Sequence, residues 1–376
     1  MKILFLLVAL YCSTIAPTAS ASVYDTLLSV DEKKRAESMY QQYCSLCHGK
    51  NREGHAADHA PSLRSKSLMS TAPTAYLSIA VEFGRPGTAM SAYLDEMGGP
   101  LNIDDITMLV KWLKAESGHK DVKFSKDIVN GDAIAGKTVY QAQCASCHGD
   151  KGEGHVGPAL SNNTFLSYAT DDFIKYAIVN GRDGTPMPAF KQLISEQSIN
   201  DLVAYIRSNV YGDIPVKTKL RPIPSEEDYI LNPNNPAPEF KIKDGRYISI
   251  HQLKQALEDK KRFVLLDTRT KSEWYSLHIP GSIPIPYYSD DSEVTKGLPK
   301  DGTWIVAYCA CPRAASETVV DALRENGFVN TLIIYEGFFA WIDAEYPVNS
   351  GRITSEPVEL NRNGVVAVDK QVEKGD

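Results

Sequence analysis

Gly136-Lys-Thr-Val-Tyr140-Gln-Ala-Gln-Cys144-Ala-Ser-Cys147-His148-Gly149 contains the most specific motif of this 376-residue chain. Apolar residues recur at helical spacing in its first half, and it ends in a C-x-x-C-H motif. Two thiols at that spacing can form thioether bonds to the vinyl groups of haem, and the adjacent histidine then ligates the iron. The stretch therefore predicts a haem attached covalently at Cys144 and Cys147, with His148 as iron ligand.

A cysteine pair of this kind has two other common uses, a redox-active dithiol and one half of a zinc site. A zinc site needs a second Cys or His pair at ligand spacing, and none follows within the segment. A thioredoxin-like dithiol follows a strand, whereas Cys144 follows a helical pattern. Haem attachment is the interpretation that also uses the adjacent His148.

Length and composition indicate a globular protein of two or three domains. The chain has 43% hydrophobic and 23% charged residues and a net charge of -7. Binding to nucleic acid needs a basic surface, so we expect no nucleic-acid partner.

The N-terminus has the pattern of a secretory signal peptide at residues 1–21. Lys2 precedes a short apolar run, and Ala19-Ser-Ala21 supplies small residues for cleavage. We expect Cys12 to leave with this peptide and the mature chain to have no transmembrane segment. The expected location is the periplasm or another part of the cell envelope. The alternative is an uncleaved membrane anchor.

The first half of the chain contains one unit twice. Cys44-Ser-Leu-Cys47-His48-Gly49 lies 100 positions before the second motif, and a helical pattern precedes each. Further on, Gly84-Arg-Pro-Gly-Thr-Ala-Met90 matches Gly181-Arg-Asp-Gly-Thr-Pro-Met187, and apolar helices at 106–113 and 199–206 close the two copies. A period this long indicates tandem domains, because solenoid repeats are roughly 20 to 50 residues long. We predict domains at 31–119 and 128–211, each with one haem.

Together these motifs resemble the class I c-type cytochromes over residues 31–211. The resemblance implies two mainly α domains with two covalently bound haem c groups. It makes His48 and His148 the proximal iron ligands and Met90 and Met187 the distal ligands. Such coordination raises the reduction potential and closes the iron to small molecules, so the resemblance implies electron transfer with redox protein partners.

The distal ligand is less constrained in the first domain than in the second. Met187 is the only methionine of residues 128–211, whereas only Met90 of the first domain's methionines sits in the repeated Gly-x-x-Gly-Thr context. Other candidates compete with Met90: Met69, Met97, Met108, His55 and His59. The family also places a proline loop beside each proximal histidine, at Pro61 and Pro158. Aromatic residues at helical positions are expected to form the core: Tyr40, Trp112, Tyr140 and Tyr205.

The pattern changes after residue 211. A proline-rich linker at 212–244 predicts an extended connector or a strap laid over a domain surface. Buried strands at 264–266, 283–285, 304–308 and 331–335 then alternate with helices at 251–257 and 314–326, which indicates an α/β domain with a largely parallel sheet. Cys309 follows a strand and precedes a helix, where helix N-terminal N–H groups favour the thiolate.

Five motifs in this region resemble the rhodanese (sulfurtransferase) domain over residues 245–350. They are Leu266-Asp267-Thr-Arg269, Glu273-Trp274, His278-Ile-Pro-Gly281, Val306-Ala-Tyr-Cys309 and Glu336-Gly-Phe-Phe-Ala-Trp341. The resemblance implies that Cys309 takes sulfane sulfur from a small sulfur compound and holds it as a persulfide. Asp267, Arg269 and His278 are expected to be structural.

The loop after Cys309 departs from the family pattern, since it reads Cys309-Ala-Cys311-Pro312-Arg313. Pro312 lacks a backbone donor, and Arg313 stands one place early for an anion contact. Cys311 has several interpretations: it resolves a persulfide on Cys309, pairs with Cys309 as a disulfide, or holds copper(I) with it. The remaining alternative is a catalytically silent docking domain. We expect residues 351–376 to form a polar tail.

Overall fold

The computed structural model describes residues 27–55, 60–85, 88–125, 127–154, 157–208, 219–310 and 313–353. The predicted signal peptide therefore lies outside the described residues, as do His59, Cys311, Pro312 and most of the predicted tail. Within the described ranges, no helix has the length and apolar character needed to cross a membrane. We refer to residues 27–125 as the first repeat, 127–208 as the second repeat and 219–353 as the α/β unit.

The described residues of the first repeat form five α-helices. They are α1 (Val30–Tyr43), α2 (Ser45–His48), α3 (Lys66–Met69), α4 (Thr74–Phe83) and α5 (Ile103–Ser117). A capping box starts α1, because the Ser29 hydroxyl accepts from the Glu32 N–H and the Glu32 carboxylate accepts from the Ser29 N–H. Helices α1 and α5 pack together through Tyr40 and Trp112, whose ring centroids are 5.4 Å apart.

The second repeat has the same order of helices. They are α6 (Ala133–Gln143), α7 (Ala145–His148), α8 (Asn163–Tyr168), α9 (Asp171–Asn180) and α10 (Glu196–Ser208). Tyr140 on α6 packs on Tyr205 of α10 at 5.0 Å. Gly136 permits this crossing, because a Cβ there would lie 2.0 Å from the Asp201 carbonyl oxygen. The predicted aromatic core is therefore confirmed in both repeats.

The buried residues of the two repeats form one continuous hydrophobic cluster. Tyr76 of α4 links them, since its ring lies 4.9 Å from that of Phe173 and 6.0 Å from that of Phe165. The two repeats therefore pack side by side through apolar faces rather than being joined only by the chain.

The predicted α/β domain with a largely parallel sheet is confirmed, and the described residues of the α/β unit form five parallel strands. Its strands, in spatial order, are β2 (Tyr247–Ile248), β6 (Thr331–Ile334), β5 (Ile305–Tyr308), β3 (Val264–Asp267) and β4 (Ile283–Pro284). The helices are α11 (Ile250–Glu258), α12 (Lys271–Ser276), α13 (Asp291–Thr295), α14 (Ala314–Glu325) and α15 (Gly337–Asp343). One hydrophobic cluster lies on each face of the sheet, so β3, β5 and β6 are buried throughout.

The described part of the predicted linker is a strap on the α/β unit. Strand β1 (Lys219–Leu220) pairs antiparallel with β7 (Arg352–Ile353), so the start and the end of the unit are joined. Leu231 forms a bridge with Phe263 and packs against one of the cores. The strands β1, β2 and β7 are not expected from the sequence, because each has two residues outside any continuous apolar run, whereas β4 lies in the apolar run 283–285.

Candidate haem centres and the Cys309 site

The two predicted proximal histidines have the same surroundings. His48 and His148 end the single-turn helices α2 and α7, and both are buried. The His48 Nδ1 lies 2.9 Å from the Pro61 carbonyl oxygen, and the His148 Nδ1 lies 2.8 Å from that of Pro158. A carbonyl only accepts, so Nδ1 carries the proton and Nε2 keeps a lone pair. Each imidazole is thus in the tautomer that a metal ligand requires.

The electrostatics of these histidines agree with that tautomer. Burial lowers the pKa of His48 and of His148, and the hydrogen bond to the proline carbonyl raises it to a smaller extent. Both rings are consequently held as neutral imidazoles, which is the form that coordinates iron.

The paired thiols sit on the same helical turn as the histidine. Burial raises the pKa of the Cys44 thiol to about 12 and that of Cys144 to about 11. Burial therefore disfavours the thiolate form of Cys44 and Cys144. Within the described ranges, no group of three or more His, Cys, Asp or Glu side chains could hold a metal ion.

The turn after each motif is fixed in the same way. The Tyr40 hydroxyl donates to the Gly49 carbonyl at 2.5 Å, and the Tyr140 hydroxyl donates to that of Gly149 at 2.8 Å. Both glycines have a positive φ, 81° and 83°. The chain therefore leaves each attachment segment in a left-handed conformation that favours glycine.

The two methionine loops also share one set of hydrogen bonds. In the second repeat, the Arg182 N–H donates to the Met187 carbonyl (3.2 Å) and the Met187 N–H to the Thr185 hydroxyl (3.2 Å). In the first repeat, the Arg85 N–H donates to the Met90 carbonyl (2.8 Å) and the Met90 N–H to Thr88 (3.1 Å). Met90 is thus the structural counterpart of Met187.

The competing residues of the first repeat lie in other environments. Met69 is fully buried in α3, Met97 is buried in a 3₁₀ turn at Asp95–Met97, and Met108 is on α5. His55 forms a β-bridge with Ala60. Met90 is the candidate that has the loop geometry of Met187, and its role as ligand remains a prediction.

Each repeat therefore contains a donor set that fits haem c. Two thiols are available for thioether bonds, an imidazole presents Nε2, and a loop methionine offers a thioether sulfur. Haem c held there would supply reversible one-electron exchange. The protein's own contribution is to set the histidine tautomer and to hold the methionine loop.

Cys309 lies at the carboxyl end of β5 and is 1% exposed. Its carbonyl accepts a hydrogen bond from the Phe338 N–H at 2.8 Å. Helix α14 begins five residues later at Ala314, and the side chain of its N-cap residue Arg313 makes no capping hydrogen bond. The predicted position at a strand-to-helix turn is observed, whereas Cys311 and Pro312 lie outside the described residues.

Arg313 points its guanidinium group at aromatic rings. It lies 4.4 Å from the Tyr335 ring centroid and 5.6 Å from that of Tyr247, and it pairs with Glu317 at 3.6 Å. Cation–π contacts of this kind hold an arginine over a ring face. A role of Arg313 in binding an anion next to Cys309 therefore stays a prediction.

A buried charged network beside Cys309 includes a residue that was not predicted. Asp267 and Arg269 form a salt bridge at 2.6 Å, and the Tyr308 hydroxyl donates to Asp267 at 2.7 Å. Arg269 also lies 3.9 Å above the Phe338 ring. Tyr308 directly precedes Cys309, so this network fixes the strand end that carries the thiol. Tyr308 could not be singled out from the sequence, because a tyrosine in a buried strand resembles any core aromatic residue.

Comparisons with known proteins agree with this division of the chain. Residues 31–113 and 131–206 match the family "Cytochrome C oxidase, cbb3-type, subunit III", and residues 249–344 match "Rhodanese-like domain". A cytochrome c6 from Rippkaea orientalis is 35% identical over 86 residues, which are 22% of this chain and 76% of that protein.

Longer matches are more distant. The cbb3-type cytochrome c oxidase subunit CcoP from Azospirillum sp. (strain B510) is 25% identical over 189 residues, which are 46% of this chain. The chain spans 60% of the length of that relative. Among solved structures, a rhodanese-related protein from Thermoplasma volcanium is 25% identical, with a TM-score of 0.23, and the match covers 28% of this chain and 97% of that chain.

The likeness to cytochromes c implies that this chain binds haem c covalently. The chain belongs to the c-type cytochromes, with two cytochrome c domains followed by a rhodanese-like domain.

Proposed function

We propose that this protein is a dihaem electron carrier of the cell envelope whose rhodanese-like domain binds or transfers sulfane sulfur through Cys309. The observation that carries the dihaem part is the matched pair of Nδ1 contacts, His48 to Pro61 and His148 to Pro158. With Met90 and Met187 as distal ligands, each iron would exchange electrons without binding substrate. The count of two haems is measured directly by comparing haem with polypeptide in the purified protein.

The sulfur chemistry would take place at the end of β5. The Cys309 thiolate attacks the outer sulfur of thiosulfate, the sulfur–sulfur bond of thiosulfate breaks, and sulfite leaves. The sulfur stays on Cys309 as a persulfide until a thiophilic acceptor such as cyanide removes it as thiocyanate. The support for this proposal is the placement of Cys309 before α14, whose N-terminus carries no side-chain cap from Arg313.

The test is turnover of thiosulfate and cyanide by the full-length protein. We expect thiocyanate formation that is lost in Cys309→Ser, because serine cannot hold a persulfide. Cys311→Ser should retain it if Cys311 only resolves or protects the persulfide. Equal rates for the natural protein and Cys309→Ser would contradict a role for this thiol.

A catalytically silent rhodanese-like domain is the second candidate function. The observation that favours it is the near-complete burial of Cys309, with 1% of its surface exposed. A silent domain would show no thiocyanate formation, whereas haem content and electron exchange would be normal. The same turnover assay therefore separates the two candidates.

The location and partners are also proposals. The secretory pattern at residues 1–21 supports export to the cell envelope, where a carrier of this kind would meet other redox proteins. The Azospirillum relative is named as a subunit of a cytochrome c oxidase, and an oxidase is accordingly one class of acceptor for this chain. Cell fractionation followed by haem staining of the isolated protein tests the location.

A further inference from the structure

The α/β unit makes direct contacts with the attachment segment of the first repeat. The Tyr287 hydroxyl donates to the carbonyl of Tyr43, the residue before Cys44, at 2.5 Å. The Tyr288 ring packs edge-on against the Tyr43 ring at 5.1 Å. Tyr93 completes the cluster, since its hydroxyl lies 2.8 Å from that of Tyr287. We call Tyr43, Tyr93, Tyr287 and Tyr288 the tyrosine cluster.

The hydrogen bonds in this cluster depend on both units at once. The Tyr93 hydroxyl also lies 3.1 Å from the Tyr43 carbonyl, so three contacts are served by only two hydroxyl protons. Tyr287 has the shortest contact and donates to Tyr43, which leaves the Tyr93 proton for either oxygen. Without Tyr287, the Tyr43 carbonyl would keep only the hydrogen bond that the Tyr93 hydroxyl donates.

A second contact reaches the methionine loop of the same repeat. The Ser272 hydroxyl, at the start of α12, donates to the Ala92 carbonyl at 2.5 Å. The Ser91 hydroxyl, next to Met90, hydrogen-bonds the Glu273 carboxylate. The α/β unit therefore holds both segments that would flank the first haem, the cysteine turn and the methionine loop.

The corresponding positions of the second repeat lack these groups. Ser91 and Tyr93 correspond to Pro188 and Phe190, which lack the hydroxyl group, and Tyr43, whose ring contacts Tyr288, corresponds to Gln143. Exposure differs in parallel: Tyr43 and Cys47 are half-buried and Ser91 is buried, whereas Gln143, Cys147 and Pro188 are exposed. The copies thus differ where one contacts the α/β unit and the other faces solvent.

We infer that the first cytochrome domain is dedicated to the rhodanese-like domain, which covers its haem-attachment side, and that the second domain offers the surface at Ser146 and Cys147 to external redox partners. The inference rests on the proposed electron-carrier function and adds a fixed arrangement of the two cytochrome domains to it. The first domain lies inward next to the rhodanese-like domain, and exchange with other proteins takes place at the second domain.

The covered surface is tested by hydroxyl-radical footprinting of the full-length, haem-loaded protein, read by mass spectrometry. We expect Tyr43 to be protected in the natural protein and its oxidation to rise severalfold in Tyr287→Ala. Tyr93→Phe should give a smaller rise, and it keeps the fold because phenylalanine occupies the same position of the second repeat. Phe190→Tyr is the matched control and should leave Tyr43 unchanged.

Two outcomes would overturn the inference. One is oxidation of Tyr43 in the natural protein as fast as in the urea-unfolded chain, and the other is an unchanged rate in both Tyr287→Ala and Tyr93→Phe. Neither readout depends on sulfur transfer. Absence of thiocyanate formation would remove the proposed sulfur chemistry and leave the protected surface in place.

The open surface is tested by the rate at which hexacyanoferrate(III), an anion, oxidises the reduced protein. We expect Ser146→Lys to raise the rate roughly threefold at low ionic strength, because a positive charge at the point of approach attracts the oxidant. Thr318→Lys adds the same charge at an exposed position of α14 and should have little effect. Equal rates for the two variants would contradict exchange at the second domain.

Discussion

At the scale of single residues, the protein uses identical local contacts to prepare its two haem centres. A buried histidine donates through Nδ1 to a proline carbonyl, and a tyrosine hydroxyl holds the glycine that follows. His278 of the rhodanese-like domain is a third buried histidine with a different partner. Its Nδ1 donates to the Trp274 carbonyl at 2.7 Å, and its ring stacks on that of Trp274 at 4.1 Å.

His278 should make the rhodanese-like domain less stable in acid. Burial lowers its pKa to about 4, from an ordinary value of 6.5. Between pH 6.5 and 4, the unfolded chain therefore binds a proton at His278, whereas the folded domain does not. His278 costs the domain no stability above pH 6.5, and about 3 kcal/mol of the free energy of unfolding is lost as the pH falls to 4. Asp267, Arg269 and Arg221 are the charged groups that act on it.

The measurement is urea unfolding against pH, followed by tryptophan emission, in the natural protein and His278→Gln. The variant should show a weaker loss of stability between pH 6.5 and 4. Glu273 acts in the opposite direction, because burial raises its pKa to about 6. Above pH 4.5 the unfolded chain loses a proton that the folded domain keeps up to about pH 6, so stability falls as the pH rises through this range. It is present in both proteins, so the difference between them isolates His278. Identical pH profiles would show that His278 is not the group responsible.

At the scale of helices and strands, the crossing of α6 and α10 shows how one glycine sets a packing distance. Gly136 faces the Asp201 carbonyl of α10, with Tyr205 beside it. Ala36 stands at the corresponding position of α1 and is fully buried there. The two repeats share the crossing of their first and last helices, and the second copy makes it more tightly.

Gly136→Ala should therefore destabilise the second cytochrome domain. The added methyl group would meet the Asp201 backbone, which is not a flexible side-chain end, so the helices must separate. We expect a loss of about 1–3 kcal/mol. Thermal unfolding of the haem-loaded protein measures it. Lys137→Ala, at the exposed neighbouring position of α6, is the control and should change stability by less than about 0.5 kcal/mol.

At the scale of the whole molecule, the interfaces between domains combine apolar packing with specific polar contacts. The two cytochrome domains meet at the second methionine loop, where the Asp183 carboxylate accepts from the Ser65 hydroxyl (2.8 Å) and the Ser67 N–H (2.7 Å). Arg182 reaches the Thr71 hydroxyl at 3.1 Å and lies over the Phe173 ring. In the sequence of the first copy Pro86 stands at the position of Asp183, and proline has no carboxylate with which to accept such hydrogen bonds.

Asp183→Ala should weaken the contact between the cytochrome domains. The variant removes the acceptor for the first turn of α3, a loss comparable to that of a helix cap, about 1 kcal/mol. Hydrogen exchange of residues 65–71 should become faster in the full-length protein, whereas exchange in α14 should not change. Asp150→Ala, at an exposed position of the same cytochrome domain, is a control for the lost charge. Unchanged exchange at 65–71 would show that Asp183 does not hold the interface.

Much of the fold could be predicted because its signals are local. The helices beside each C-x-x-C-H motif have clear 3.6-residue periodicity, and β3, β5 and β6 are continuous apolar runs. The short strands β1, β2 and β7 could not be predicted, since each has only two residues and none lies in a continuous apolar run. The loop contacts of Arg313 were missed because they depend on the placement of Tyr335, which belongs to another strand end.

The sequence by itself determined the attachment motifs, the duplication, the parallel α/β domain and the position of Cys309. Each of these depends on residues that are close together in the chain or on a comparison of two copies. Only the tertiary structure decided which copy is covered, because the deciding contact joins Tyr43 and Tyr287 across 244 positions. A tyrosine in one segment carries no information about a distant partner until folding brings their hydroxyl and carbonyl groups within hydrogen-bond distance.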